Sequence, residues 1–261
     1  MEKAQRASLI VLILTVILVF MPAIIPKSKF EGSGIAIEYT DTKRIPQDLC
    51  EIRDVEERKM RFLHILLPLV LKSNEKVISQ RKAIQEIQKT SWWMTKGEKL
   101  RLDQIAAEYG IDADVPDEAM DALLERVNVL PVSLVLAQAA IESGWGTSRF
   151  ALEGNNLFGL RRGKGEGMVP YRQKKGSVFR VSVFSDLQSC VDYYLWNINT
   201  YPAYKELREI RAASSLPYDS IVLAKGLEFY SEQGQVYVEK VRGMIRYNRL
   251  KTYDQYYLLN P

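Results

Sequence analysis

Leu134-Val135-Leu136-Ala137-Gln138-Ala139-Ala140-Ile141-Glu142-Ser143-Gly144-Trp145-Gly146 is the stretch on which the reading of this chain turns. Its first eight residues are apolar apart from one glutamine, and a glutamate follows at once. A carboxylate in such surroundings costs free energy, because burial penalises the charged form. The expected response is a raised pKa, which keeps a carboxylic acid able to donate a proton near neutral pH. Alternatively, Glu142 occupies the wet face of an amphipathic helix. Perturbed carboxylates also occur in purely structural networks.

The residues downstream weigh against the wet-face alternative. The run Ala137 to Ser148 leads into Gly154-Asn155-Asn156-Leu157-Phe158-Gly159-Leu160. Further blocks follow in Val183-Phe184-Ser185-Asp186-Leu187-Gln188-Ser189-Cys190-Val191-Asp192-Tyr193-Tyr194, Asn199-Thr200-Tyr201-Pro202-Ala203-Tyr204 and Tyr230-Ser231-Glu232-Gln233-Gly234-Gln235-Val236-Tyr237-Val238. In this order they closely resemble the bacterial cell-wall glucosaminidases, glycoside hydrolase family 73, over roughly residues 130–247. Upstream, Ile52-Arg53-Asp54-Val55 with Lys59, Phe62 and Leu67-Pro68-Leu69-Val70 resembles the helical extension of that family's Bax-like subgroup. The resemblance implies a lysozyme-like fold, mainly α with some β, in which a helical lobe faces a small β-hairpin lobe. A glutamic acid in an apolar pocket beside a tryptophan is also how lysozyme presents its general acid.

Composition narrows the alternatives. A chain of 261 residues with 47% hydrophobic residues holds one large domain or two small ones around a packed core. A formal charge of +4 suits a polyanionic cell wall or a membrane surface but is too weak to indicate nucleic acid. No basic stripe interleaved with aromatics is present to stack bases, so no nucleic-acid partner is expected. The two cysteines, Cys50 and Cys190, do not make a disulfide framework, although one bridge is open to them in an oxidising compartment. Cys190 lies in an apolar helical stretch and reads as a small core residue. The only histidine, His64, lies within Phe62-Leu63-His64-Ile65-Leu66-Leu67 and reads as packed or interfacial rather than as a ligand. No metal or cofactor is implied.

At the amino terminus, residues 9–25 form an apolar run of about 17 residues, interrupted only by Thr15 and Pro22. No small-x-small cleavage site follows it. Residues 1–29 are therefore expected to be an uncleaved signal anchor or transmembrane segment. The flanking charges do not settle its orientation, since Lys27 and Lys29 match Lys3 and Arg6. The wall-hydrolase resemblance implies a bacterial inner-membrane protein with its catalytic domain in the periplasm.

Residues 30–48, with Gly32, Gly34 and Pro46, read as a linker or irregular lead-in. Residues 49–98 form a helical extension, where Ile52, Val55, Phe62, Ile65, Leu66, Leu69, Val77, Ile84 and Ile87 recur at helical spacing. Pro68 predicts a kink or a break into two helices. This segment is expected to pack on the catalytic part, with a protein-partner surface as a second role. Residues 99–261 are the expected glucosaminidase domain. It opens with helices over 99–109 and 116–127, the latter with Pro116 at its first position. The glycine-rich stretch 161–180 predicts a small hairpin with arms Met168-Val169-Pro170-Tyr171 and Val178-Phe179-Arg180-Val181. Asp186 is expected to cap a helix through Trp196, and three or four more helices follow to Tyr247.

Glycosidic cleavage needs a proton on the leaving oxygen and help for a cationic, oxocarbenium-like centre. Glu142 is the expected proton donor. The resemblance implies a second glutamate in the β-lobe, but the matching stretch, Pro170-Tyr171-Arg172-Gln173-Lys174-Lys175-Gly176, carries no acid. Glu166 is the nearest carboxylate there. Assistance from the substrate's own N-acetyl group is therefore the favoured alternative. Tyr230 and Tyr237 stand where the family carries site tyrosines: Tyr230 is expected in catalysis and Tyr237 in substrate binding. Trp145, Asn155, Asn156 and Phe158 complete the expected binding set, although the asparagines also suit turns and the aromatics also suit a core. The sequence thus predicts hydrolysis of the β-1,4 bond after N-acetylglucosamine in peptidoglycan glycan strands. A lytic transglycosylase and a non-catalytic, membrane-tethered wall-binding adaptor are the alternatives.

Overall fold

The helix Val132–Ser143 is buried on every side along most of its length, and the rest of the protein is arranged around it. A helix that is hydrophobic all round has no solvent face to keep. In the computed structural model, which describes residues 34–89, 93–111, 116–162, 167–170 and 180–259, residues Ile35–Pro261 form one compact unit. In chain order its elements are β1 (Ile35–Ile37), α1 (Val55–Lys89), α2 (Lys96–Glu108), α3 (Pro116–Arg126), α4 (Val132–Ser143), α5 (Arg149–Gly154), β2 (Arg161–Arg162) and β3 (Arg180–Val181). They continue with α6 (Leu187–Thr200), α7 (Lys205–Ala212), α8 (Ser220–Leu223), α9 (Gln235–Tyr247) and β4 (Tyr256–Leu258). Short 3-10 segments join several of them. Among the described residues the fold is mainly helical with two small sheets.

The long helix α1 packs against α4 and α6, as expected for an extension seated on the catalytic part. It runs as one helix through Pro68, so the expected split into two helices does not occur. Proline in a helix interior costs about 3 kcal/mol. Here Phe62, Leu63, Leu66 and Leu67 on one side of it and Leu69, Val70 and Leu71 on the other are all buried. Each such side chain contributes about 1.5–3 kcal/mol, so packing on both halves outweighs the defect. The same helical phase leaves His64 exposed, so it is not a packed residue.

Residues 35–51, within and beyond the expected lead-in, lie along the surface and are tied to the core at a few points. β1 pairs in parallel with β4, Ile35 opposite Tyr256 and Ile37 opposite Leu258. Ile45 and Leu49 are buried, and Lys43 O accepts a hydrogen bond from Leu187 N at 3.1 Å. Helix α2 starts at Lys96, earlier than its apolar pattern indicated. A capping box at Thr95 fixes that start: the Thr95 hydroxyl accepts from Glu98 N at 3.2 Å, and the Glu98 carboxylate accepts from Thr95 N at 2.8 Å.

The two expected arms of the hairpin meet at Met168 and Val181, which exchange two backbone hydrogen bonds of 2.9 Å. β3 pairs antiparallel with β2, Arg161 opposite Val181, and Met168 meets the same Val181 in an isolated bridge. The other arm positions, Tyr171 and 178–179, lie outside the described residues, as do Glu166 and 171–176. Residues 1–29 lie outside them as well. Among the described residues no helix is long and apolar enough to cross a membrane. Both cysteines are free, Cys50 exposed and Cys190 buried in the core as expected. Burial pushes the Cys190 thiol up to about 12.

Candidate active site

Glu142 lies in the last turn of α4, where the buried helix reaches the surface. Desolvation raises the pKa of its carboxyl group, and the C-terminal end of the helix dipole disfavours negative charge there too. The opposing influences are a hydrogen bond from Tyr237 and the charges of Lys240 and Arg161. The net direction is up. This is the condition for a general acid near neutral pH.

The turn after Glu142 is built by its neighbours. Ser143 Oγ donates to Ala139 O at 2.6 Å and accepts from Gly146 N at 2.8 Å. Gly146 has φ +80, and a β-carbon there would meet Phe62 Cδ2 at 2.9 Å, so glycine lets the turn close onto α1. Trp145 takes a left-handed φ of 59. Its ring meets Phe62 edge-on at 5.9 Å and lies 5.4 Å from the Lys59 ammonium. It packs on α1 and is not part of the wall beside Glu142.

That wall encloses a groove of ≈ 800 Å³ lined by Glu142, Phe158, Gly159, Leu160, Arg161, Tyr193, Trp196, Asn197, Tyr201, Tyr204, Phe229, Tyr230, Ser231, Glu232 and Gln233. Phe229 and Tyr201 are 71% and 57% exposed, so large aromatic faces are presented to whatever enters. Tyr193 and Trp196 extend the same wall, their rings 5.2 Å apart. A second groove of ≈ 990 Å³ runs along α1 beside Tyr39, Lys72, Lys76 and Arg101, but contains none of the expected site residues.

Of the expected residues, Phe158, Tyr230 and Tyr237 gather at Glu142. Tyr230 lines the groove and donates its hydroxyl proton to Phe158 O at 2.7 Å, which fixes the loop opposite Glu142. Tyr237 is 2% exposed and stacks on Tyr230 with ring centroids 5.4 Å apart. It is not among the residues that line the groove. Phe158 stacks on Tyr194 at 3.9 Å.

Asn155 and Asn156 are each 1% exposed and are committed to holding the loop. Asn155 takes the left-handed cap position after α5, where asparagine is favoured, and donates to Phe184 O. Asn156 Nδ2 donates to Leu160 O and Ser182 O, both at 2.9 Å. Its Oδ1 accepts from Phe158 N and Leu160 N. Asp186 caps α6 as expected, accepting from Ser189 N at 2.7 Å.

Several residues at the site were not expected from sequence to act there, Gly159 being expected only to permit a tight turn near the groove. Gly159 carries φ +65 and packs directly on the Glu142 carboxylate. Gln138, one turn before Glu142, hydrogen-bonds Tyr237. Its signal was present: it is the single polar residue in the apolar run, spaced four positions from the acid. Tyr201 and Glu232 fall inside the blocks that carry the family resemblance but were assigned no role, and Phe229 carries no such signal.

A desolvated carboxyl group beside an aromatic, saccharide-sized groove is an arrangement suited to glycoside hydrolysis. The family described as mannosyl-glycoprotein endo-beta-N-acetylglucosaminidase matches residues 117–250, and this chain belongs to it. Protein bax of Escherichia coli (strain K12) is 32% identical over 197 residues, 74% of this chain and 70% of that protein. No solved structure matches the chain. The matched span contains Glu142, the groove aromatics and both site tyrosines.

Proposed function

We propose that the protein is a peptidoglycan hydrolase that cuts the β-1,4 bond after N-acetylglucosamine, with Glu142 as general acid. The observation that carries this reading is the desolvated Glu142 carboxyl group opening onto an aromatic groove. The helical body and the β2–β3 element then correspond to the two lobes of a lysozyme-like arrangement. Glu142 gives its proton to the glycosidic oxygen, and the C1–O bonding pair leaves with that oxygen. The acetamido oxygen of the same sugar closes onto C1 to form an oxazolinium ion. Water, deprotonated by the Glu142 carboxylate, then reopens it with net retention. Tyr230 supports the acetamido group from the groove wall. Among the described lining residues the other carboxylate is Glu232, which is exposed. The substrate-assisted route makes it dispensable.

Digestion of purified peptidoglycan, followed by reduction and mass spectrometry, tests the assignment. N-acetylglucosaminitol ends are expected. Anhydro-muramic ends would identify a lytic transglycosylase instead, and intact glycan with retained binding would identify a wall-binding adaptor. The apolar run at 9–25 supports a membrane anchor, and the peptidoglycan substrate of the proposed reaction supports placing the catalytic unit in the periplasm of a bacterial inner-membrane protein. Protease accessibility in spheroplasts, compared with lysed cells, checks that placement.

A further inference from the structure

Trp196 and Tyr193 leave α6 one turn apart, and both line the groove that contains Glu142. Their rings lie 5.2 Å apart, and the Tyr193 ring lies 5.6 Å from that of Phe184. The indole is fixed from outside its own helix. Trp196 Nε1 donates to Glu108 O at 2.7 Å, the carbonyl of the last residue of α2. The last carbonyls of a helix have no partner within it, and the negative end of the helix dipole favours a donor there. The Glu108 carboxylate is held in turn by α1, accepting from Gln80 Nε2 at 2.6 Å and pairing with Lys76 at 3.2 Å. Tyr109, the next residue, donates its hydroxyl proton to Gln80 Oε1 at 3.0 Å, and its carbonyl accepts from Arg126 at 2.6 Å. The turn that grips the indole is therefore tied to both α1 and α3. Glu108 and Gln80 lie ahead of residues 117–250, the span matched by the family.

We propose that Trp196 is a separate sugar platform in the groove, positioned by α1 and α2, and that it makes the protein favour long glycan strands over short fragments. This rests on the glycan-hydrolase reading given above. At the acid the groove is formed by Phe158, Gly159 and Tyr230, whereas Trp196 belongs to the part fastened to α2. A strand that reaches both spans more than the two sugars at the bond being cut. A sugar ring carries C–H groups on its faces, and covering them with an aromatic ring removes apolar area from water. With its N–H committed to Glu108 O, the indole offers its face and no competing donor. A ring already locked by a hydrogen bond also loses less conformational freedom when a strand binds. The helices ahead of the family-matched residues thereby take part in substrate selection.

Two measurements on the full chain in detergent test this. In a Glu142→Gln background, which leaves the glycan uncut, added peptide-free glycan strands should shift the NMR resonance of the Trp196 indole N–H. That proton should also be protected from solvent exchange, and Gln80→Ala, a change outside the groove, should speed its exchange. In kinetics, Trp196→Ala should raise KM on long strands about fivefold relative to KM on the shortest fragment cleaved, as expected for loss of one aromatic contact. Trp196→Phe keeps a ring but loses the bond to Glu108 O, so it should give a smaller rise of the same sign. An indole resonance unmoved by glycan, or a KM that rises equally on short and long substrates, would overturn the proposal and leave Trp196 a brace for α2. Unchanged exchange in Gln80→Ala would overturn the positioning role of α1. The resonance belongs to the native indole, so a folding failure of either Trp196 variant leaves the question answerable. If the wild-type protein cleaves no glycan, the hydrolase reading fails, while the glycan-induced shift still reads the platform.

Discussion

Gly159 lies against the Glu142 carboxylate so closely that a β-carbon on it would stand 3.2 Å from Glu142 Oε2. Its φ of +65 is also one that L side chains adopt at a cost of roughly 1–2 kcal/mol. Gly159→Ala should therefore displace the acid and strain the loop together. We expect kcat to drop at least tenfold and thermal stability to fall by a few degrees, read by glycan digestion and by a melting curve.

Glu142→Gln should separate catalysis from stability. The folded carboxyl has its pKa raised above the ordinary value, so ionising it costs native stability. That cost is absent below the unfolded pKa, grows as pH rises through the folded pKa and is constant above it. The variant should therefore melt higher than wild type at pH 8 and match it near pH 4. Equal melting temperatures at pH 8 would show that the buried charge is not destabilising.

Wild-type activity should depend on pH in the corresponding way. A general acid must be protonated, so the rate should fall on the alkaline side as pH rises through the raised Glu142 pKa. An acid at its ordinary value would place that limb near pH 4.5, and a pH–rate profile distinguishes the two.

The aromatic wall should govern affinity rather than chemistry. Phe229 is 71% exposed on the groove and is not in contact with the acid by any hydrogen bond. Phe229→Ala should raise KM about fivefold, the equivalent of one aromatic contact of about 1 kcal/mol, with kcat little changed. Kinetics on soluble glycan oligomers would show the split.

Arg211 should prove structurally indispensable. It is fully buried and donates to the carbonyls of Glu125, Arg126, Asn128 and Val129 and to Asn199 Oδ1. This guanidinium closes the C-terminal end of α3. Arg211→Met should cost about 3 kcal/mol or more, because several buried acceptors lose their donor at once. Chemical denaturation measures it.

Much of this was legible in the sequence because the signals were local. The apolar run before Glu142 gave the central helix, and Asp186 and Pro116 marked helix starts by their capping chemistry. The roles of Asn155, Asn156 and Trp145 were not legible. A buried asparagine bracing a loop and one bonding a sugar have the same neighbours in sequence, and only the carbonyls of Phe184, Leu160 and Ser182 decide between them. β1 was missed because three residues paired with a strand at the far end of the chain leave no periodic pattern. Pro68 did not break its helix because tertiary packing on both flanks overrode a local preference. Gln138 was visible as an oddity, but its partners come from α6 and α9.

The central claim is that Glu142 supplies the proton for cleavage after N-acetylglucosamine. The most direct measurement is the initial rate of release of reducing N-acetylglucosamine ends from purified glycan strands, wild type beside Glu142→Gln at matched pH. Loss of a general acid should cut the rate by about 10²–10⁴ while glycan binding persists. A variant that releases the same ends at a comparable rate would contradict the account.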